Sequence, residues 1–269
     1  MDNTYFVTFL KNDLYKEVIE LILLLNKTPF MNRIYALVFL IFAPIVLNAQ
    51  LISKINFDEI KLIVSDSTSV NYYPRLIERL VSGDSSLTNK EYKYLYYGNV
   101  FQEYYYPYGA TKKQKLFSEA YSKGDSFGLT EQLGKEVLHE NPVNLGVILK
   151  MIFLYNGQKN VEKATVFAKM YVSFLEVIYA SGTGKDCADS FVVISVDDEY
   201  KISADLGLSV AEQALIGSCD RLIFDRKGQK RKSRIKKLFF NVRIPLTYLS
   251  KSYNQSELPE ADPSPDENE

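Results

Sequence analysis

Apolar residues recur every three or four positions through most of residues 56–180, and this spacing predicts α-helices. Three helix starts can be recognised in the sequence. Asn56 is placed as an N-cap, Pro74 as a first-turn proline, and Thr88 with Glu91 as a capping box. These start signals predict three helices before residue 100, followed by further helices up to about residue 180.

A weak repeat runs through residues 112–180. Phe117 aligns with Met151 and Tyr121 with Tyr155 when the chain is shifted by about 34 residues, the tetratricopeptide period. Two such copies cannot bury a continuous core alone, so the earlier helices would stack on them as a cap. The repeat favours tetratricopeptide-like helical hairpins; the alternative is an ordinary helical bundle with a coincidental offset.

The pattern changes after residue 180. FVVISV (191–196) is rich in β-branched residues and predicts a strand. EYKISADLGLSVAEQALI (199–216) predicts a short helix. CDRLIF and KKLFFNV predict two strands of a hairpin with a long loop, and a helix from Pro245 closes the region. The predicted fold class is therefore mainly α with a small β region (α+β): tetratricopeptide-like hairpins within 50–180, then a small antiparallel sheet within 181–253 packed on the helices.

The segment MNRIYALVFLIFAPIVLNAQ begins at residue 31 and has the order of a secretory signal peptide: positive, apolar, then small. Its apolar run is shorter than the ~20 residues that a membrane-spanning helix needs. We therefore predict a signal peptide at 31–49 and a periplasmic or secreted mature chain without a membrane span. Translation would then begin at Met31, and residues 1–30 would be an upstream extension that is not part of the protein. The alternative is a hydrophobic anchor that includes VIELILLL (18–25).

The net charge of −1 gives no global field that would favour nucleic acid, so no nucleic-acid partner is expected. The charge is unevenly distributed. Residues 226–237 are strongly basic, and residues 254–269 are acidic and proline-containing, which predicts a disordered tail. The basic segment is either a solvated hairpin loop or an anion-binding site. Its candidate anion-binding residues are Arg226, Lys230, Arg231 and Lys232.

Two cysteines and one histidine limit the chemistry of the chain. In an exported protein Cys187 and Cys219 could form one disulfide; two buried thiols are the alternative. So few histidines and cysteines make no closed zinc site, and no calcium-loop motif is present. We predict no catalytic residues, no metal ligands and no cofactor.

The segment between residues 91 and 109 is rich in tyrosine. Tyr92 to Tyr97 have helical spacing, which favours a place in the core. Tyr104, Tyr106 and Tyr108 fall in a loop broken by proline and glycine, where tyrosines are suited to binding a protein or a glycan. These three are candidate binding residues.

Asp198 and Glu199 are the other candidate binding residues. They follow a predicted strand, where acids can serve as general acid or base or bind a cation. Consecutive residues on an extended chain point in opposite directions, so they rarely converge on one atom. A solvated turn with helix N-terminal charges explains them more simply.

Several segments together resemble a known family. LYYGNVFQ, YYPYG, VISVDDEY, GSCDRLIFD and KKLFFNV, in this order over about residues 57–253, are similar to the domain-of-unknown-function family 4919. The resemblance implies an exported protein of Bacteroides-type bacteria with a helical, tetratricopeptide-like body. It implies no established activity and no catalytic residue.

The expected function is therefore that of an exported, non-catalytic protein-binding or scaffold module whose partner is a protein of the cell envelope. Two alternatives remain open. One is a glycan-binding protein that uses the same loop tyrosines. The other is a hydrolase that uses Asp198 or Glu199.

Overall fold

A computed structural model describes residues 55–225 and 235–256. The predicted signal peptide and the anion-binding candidates Arg226, Lys230, Arg231 and Lys232 lie outside these residues. So does the predicted acidic tail, except for residues 254–256, which end the last helix and are therefore not the disordered segment that was predicted. The described elements are α1 (Phe57–Ser65), α2 (Tyr73–Val81), α3 (Asn89–Gly98), a 3-10 turn (Asn99–Phe101), α4 (Lys112–Lys123), α5 (Phe127–Glu140), α6 (Leu145–Gly157), α7 (Val161–Tyr179), β1 (Phe191–Val192), α8 (Val196–Asp205), β2 (Val210–Ile216), β3 (Cys219–Phe224), β4 (Lys237–Asn241) and α9 (Arg243–Ser256).

The predicted helix starts are confirmed. The Asn56 side chain caps α1 by accepting a hydrogen bond from the Glu59 amide. Pro74 lies in the first turn of α2. Thr88 and Glu91 form a reciprocal capping box at the start of α3, which satisfies amides that the helix itself leaves without acceptors.

Helices α4 to α7 occupy the region of the predicted repeat and pack as neighbours along the chain. Phe117 on α4 and Met151 on α6, which the repeat aligns, are both fully buried. Gly134 on α5 faces them, and a Cβ there would lie only 2.4 Å from the Met151 sulfur. Close helix packing at this point depends on a glycine. The tetratricopeptide likeness remains a prediction.

The sheet has the strand order β1-β4-β3-β2. β3 is antiparallel to both of its neighbours, as the predicted hairpin requires, but β1 is parallel to β4. The sheet is therefore mixed, and the prediction of an antiparallel sheet was wrong for this one pair. The fold class, mainly α with a small β region, is confirmed.

Two local predictions after residue 190 were wrong. The strand predicted over 191–196 stops at Val192, because Ser195 caps a helix that begins at Val196. The short helix predicted over 199–216 ends at Asp205, and residues 210–216 form β2 instead. Pairing with β3 overrides the helix-forming residues of that segment, as tertiary context commonly does.

One continuous set of buried side chains joins the helices to the sheet. Helix α3 lies at its centre, and its four tyrosines are all buried, which confirms the core prediction for Tyr92 to Tyr97. Tyr92 packs edge-on against Phe174 of α7, and the Tyr97 hydroxyl donates to the Val192 carbonyl of β1. Within the described ranges, none of the helices combines the length and apolar character that a membrane span requires.

Candidate functional site

The loop of residues 102–111, called the tyrosine loop here, connects the 3-10 turn to α4 and is fastened to the β region. The hydroxyl of the partly buried Tyr105 donates to the Ile194 carbonyl at 2.5 Å. The Pro107 carbonyl accepts from the Val196 amide and from the Ser195 hydroxyl, each at 3.3 Å. These contacts fix the backbone of the loop on both sides of Tyr106.

Two tyrosines of the loop project into solvent. Tyr104 is 60% exposed and Tyr106 is 45% exposed. The Tyr106 ring meets the Tyr248 ring of α9 edge-on, with centroids 6.1 Å apart. Tyr108 is partly buried. The loop therefore presents two of the three candidate tyrosines on a backbone that is already ordered, which lowers the entropy lost on binding.

A cleft with a volume of ≈ 40 Å³ opens beneath the loop. This volume holds a few water molecules or the head group of one side chain, and it is too small for a sugar ring. Several side chains that line the cleft carry oxygen atoms: Tyr104, Tyr106, Glu140, Asn141, Asp197 and Asp198.

Asp198 lies in the first turn of α8 and lines this cleft, yet it is only 5% exposed. The Tyr96 hydroxyl donates to its carboxylate at 2.6 Å, and that hydroxyl oxygen accepts from the Ile194 amide. Burial raises the pKa of the Asp198 carboxyl to about 7, because removal from water penalises the charged form more than these hydrogen bonds favour it.

Glu199, the next residue, is fully buried on a different side of α8, against β3. Both of its carboxyl oxygens are buried without a hydrogen-bond partner among the described residues, and the Asp220 carboxyl lies close enough to influence them. Burial, followed by the charge of Asp220, raises the pKa of Glu199 to about 9. Glu199 is therefore protonated at neutral pH, which avoids two ionised carboxylates side by side in the interior.

The acid pair is connected to the surface through Gln213 of β2. The Gln213 amide nitrogen donates to Asp220 at 2.6 Å, and its carbonyl oxygen accepts from the Tyr200 hydroxyl. The prediction of a solvated turn at Asp198 and Glu199 was therefore wrong. The helix N-terminal position that this explanation included is confirmed for both acids, but both side chains are buried.

The sequence candidates fall into two groups in the structure. Tyr104, Tyr106 and Asp198 line the same cleft. Tyr108 and Glu199 do not line it; burial, followed by the charges of Asp220 and Glu199, raises the pKa of the Tyr108 hydroxyl. Asp220 and Tyr96 were missed, because no local pattern in the sequence shows that either one meets an acid far away in the chain.

Cys187 and Cys219 form a disulfide that ties the loop before β1 to the start of β3, with Cα atoms 5.7 Å apart. Within residues 55–225 and 235–256, no cluster of three or more histidine, cysteine or acidic side chains is arranged to hold a metal ion.

Fold and site together define a mainly helical protein with a small mixed sheet and an aromatic-rimmed, acid-lined cleft beneath the tyrosine loop. The chain belongs to the family described as domain of unknown function (DUF4919), whose model matches residues 58–251. No curated protein and no solved structure matches the chain.

Proposed function

We propose that the protein is an exported, non-catalytic module of the cell envelope that binds another protein through the tyrosine loop. The observation that carries this proposal is that some residues of the loop anchor it while others are exposed. Tyr105 and Pro107 fasten it to the body, and this leaves the Tyr104 and Tyr106 rings exposed. Exposed tyrosines on a rigid support are frequent hot spots of protein interfaces.

Binding fits the acids of the site better than hydrolysis does. The Glu199 side chain has 0% exposure, so neither a substrate nor an attacking water reaches it without a rearrangement of the fold. The Asp198 carboxyl is engaged with Tyr96. The glycan alternative uses the same tyrosines, but the volume of the cleft provides no pocket for a sugar ring.

Export is part of the proposal and has two supports. The order of residues 31–49 is that of a signal peptide, and the disulfide between Cys187 and Cys219 is of a kind that persists outside the cytoplasm. The mass and first peptide of the native protein in separated cell fractions test it. We expect a chain that starts at Gln50 in the envelope or the medium; a cytosolic chain that retains Met1 would contradict export.

Site-specific crosslinking tests the binding surface. A photoreactive phenylalanine analogue replaces Tyr106 in one variant and Phe153 in a matched control, because Phe153 on α6 is 42% exposed and lies outside the loop and the cleft. We expect a crosslinked protein band from envelope fractions with the first variant only. Equal bands from both positions, or none from position 106, would argue against the tyrosine loop as the binding surface.

A further inference from the structure

We propose that the cleft beneath the tyrosine loop receives a lysine or arginine side chain of the partner protein. The inference rests on the proposed function, because it takes the tyrosine loop to face a protein. It adds the chemistry of the group that enters the cleft and the residue that pairs with it.

The charge of the lining favours a cation. Among the described residues that line the cleft are three carboxylic acids, Glu140, Asp197 and Asp198, and neither lysine nor arginine. Two of the three already have cationic partners at the surface: Glu140 pairs with Lys113, and Asp197 lies 3.8 Å from Lys201. The third, Asp198, forms no ion pair with any described residue.

Asp198 is the residue with which a bound cation would form an ion pair. The Tyr96 hydroxyl, rather than a cation, hydrogen-bonds to its carboxylate, and the charge of Lys201 has the smallest effect on its pKa among the groups that change it. A buried carboxylate without a counter-ion is costly, so an ammonium or guanidinium group in the cleft stabilises the ionised form. Several titratable groups interact electrostatically with Asp198. They are Tyr96, Tyr97 and Tyr171 from the helices, Tyr105 from the loop, and Asp197, Glu199 and Lys201 on its own helix.

The rim and the size of the cleft agree with this occupant. Tyr104 and Tyr106 line the opening, and a cation within about 6 Å of a tyrosine ring is attracted to its face. A volume of ≈ 40 Å³ accommodates the charged end of a long side chain while its methylene stem lies between the rings. A whole small-molecule ligand needs several times more space.

Capped tripeptides of the form acetyl-Gly-X-Gly-amide, with X as arginine, lysine or glutamine, test the inference in a nuclear magnetic resonance titration of the full mature chain. We expect the arginine and lysine peptides to shift amide signals at residues 195–198, and the glutamine peptide to leave them unchanged. Because the pKa of Asp198 is about 7, the carboxylate fraction, and with it the affinity, should rise about tenfold between pH 6 and pH 8.

Asp198→Asn should weaken binding of the arginine peptide at least tenfold at pH 8 and abolish the pH dependence. Asparagine keeps an oxygen that can accept from Tyr96, so the fold should persist; the melting temperature checks this. Asp58→Asn, on the exposed surface of α1, removes the same charge far from the cleft and should leave the affinity unchanged. If Asp198→Asn does not fold, the pH dependence of the wild-type chain decides.

The outcomes separate this inference from the proposed function. Equal binding of the glutamine peptide, unchanged affinity in Asp198→Asn, or affinity that does not rise with pH would overturn the cleft inference. In that case the proposed function still stands if Tyr104→Ala/Tyr106→Ala weakens the affinity for the partner protein that crosslinking identifies. Full partner affinity in the tyrosine variant would overturn the proposed function, whatever the peptides do.

Discussion

Replacing Glu199 with glutamine should make the protein less sensitive to alkaline pH. The wild-type carboxyl is buried beside Asp220 and has a pKa of about 9, compared with an ordinary value of 4.5. Glutamine has the same shape and carries no charge at any pH.

The sign and size of the effect follow from the raised pKa. Below pH 4.5 the carboxyl is protonated in both the folded and the unfolded chain. As pH rises from 4.5 towards 9, the unfolded chain releases this proton and the folded chain retains it, so stability falls. Each pKa unit corresponds to about 1.4 kcal/mol, so the loss between pH 5 and pH 8 is on the order of 3–4 kcal/mol.

Urea unfolding at pH 5 and at pH 8 measures this loss. The wild-type protein should lose more free energy of unfolding between the two pH values than Glu199→Gln, by a few kcal/mol. Glu59→Gln on the exposed face of α1 is the control and should behave like the wild type. Parallel losses in the wild type and in Glu199→Gln would refute the idea that Glu199 stays protonated in the folded chain.

Two further predictions concern stability. Gly134→Ala should destabilise the protein by about 1–3 kcal/mol, because the new Cβ meets the fully buried Met151 and Phe117 side chains. A Cβ at Gly128, on the same helix, meets no described atom within 4 Å, so Gly128→Ala should stabilise the protein by about 0.5–1 kcal/mol. Urea denaturation distinguishes the two, and similar effects of both substitutions would contradict the packing argument. Cys187→Ala/Cys219→Ala should cost about 3–4 kcal/mol, since the bond closes a loop with a sequence separation of 32, and dithiothreitol should lower the stability of the wild type only.

Local signals in the sequence predicted the helical part well. Asn56, Pro74 and the pair Thr88–Glu91 act within a single turn of chain, so their effect depends little on distant residues. The buried tyrosines of α3 also followed from helical spacing. Their burial on every side of the helix reflects its position between α1, α2 and α7, which the sequence of α3 alone does not contain.

The region after residue 190 was harder to predict because its structure depends on pairing between distant segments. Residues 210–216 contain helix-forming alanine, glutamate and leucine, but they pair with β3 from Val210 to Ile216, with one irregularity at Ala211. Asp198 and Glu199 look like surface charges until Tyr96 and Asp220 are placed against them. Contacts between residues far apart in the chain determine the candidate site, and local patterns carry little information about such contacts.

The affinity of the crosslinked partner for purified variants tests the central claim, a protein-binding tyrosine loop, most directly. Isothermal titration of that partner compares the wild type, Tyr104→Ala/Tyr106→Ala and the control Phe153→Ala, whose aromatic ring is about as exposed as that of Tyr106. We expect the double variant to bind at least tenfold more weakly, a loss of about 1.4 kcal/mol or more, and the control to bind like the wild type. Wild-type affinity in the double variant would contradict the claim.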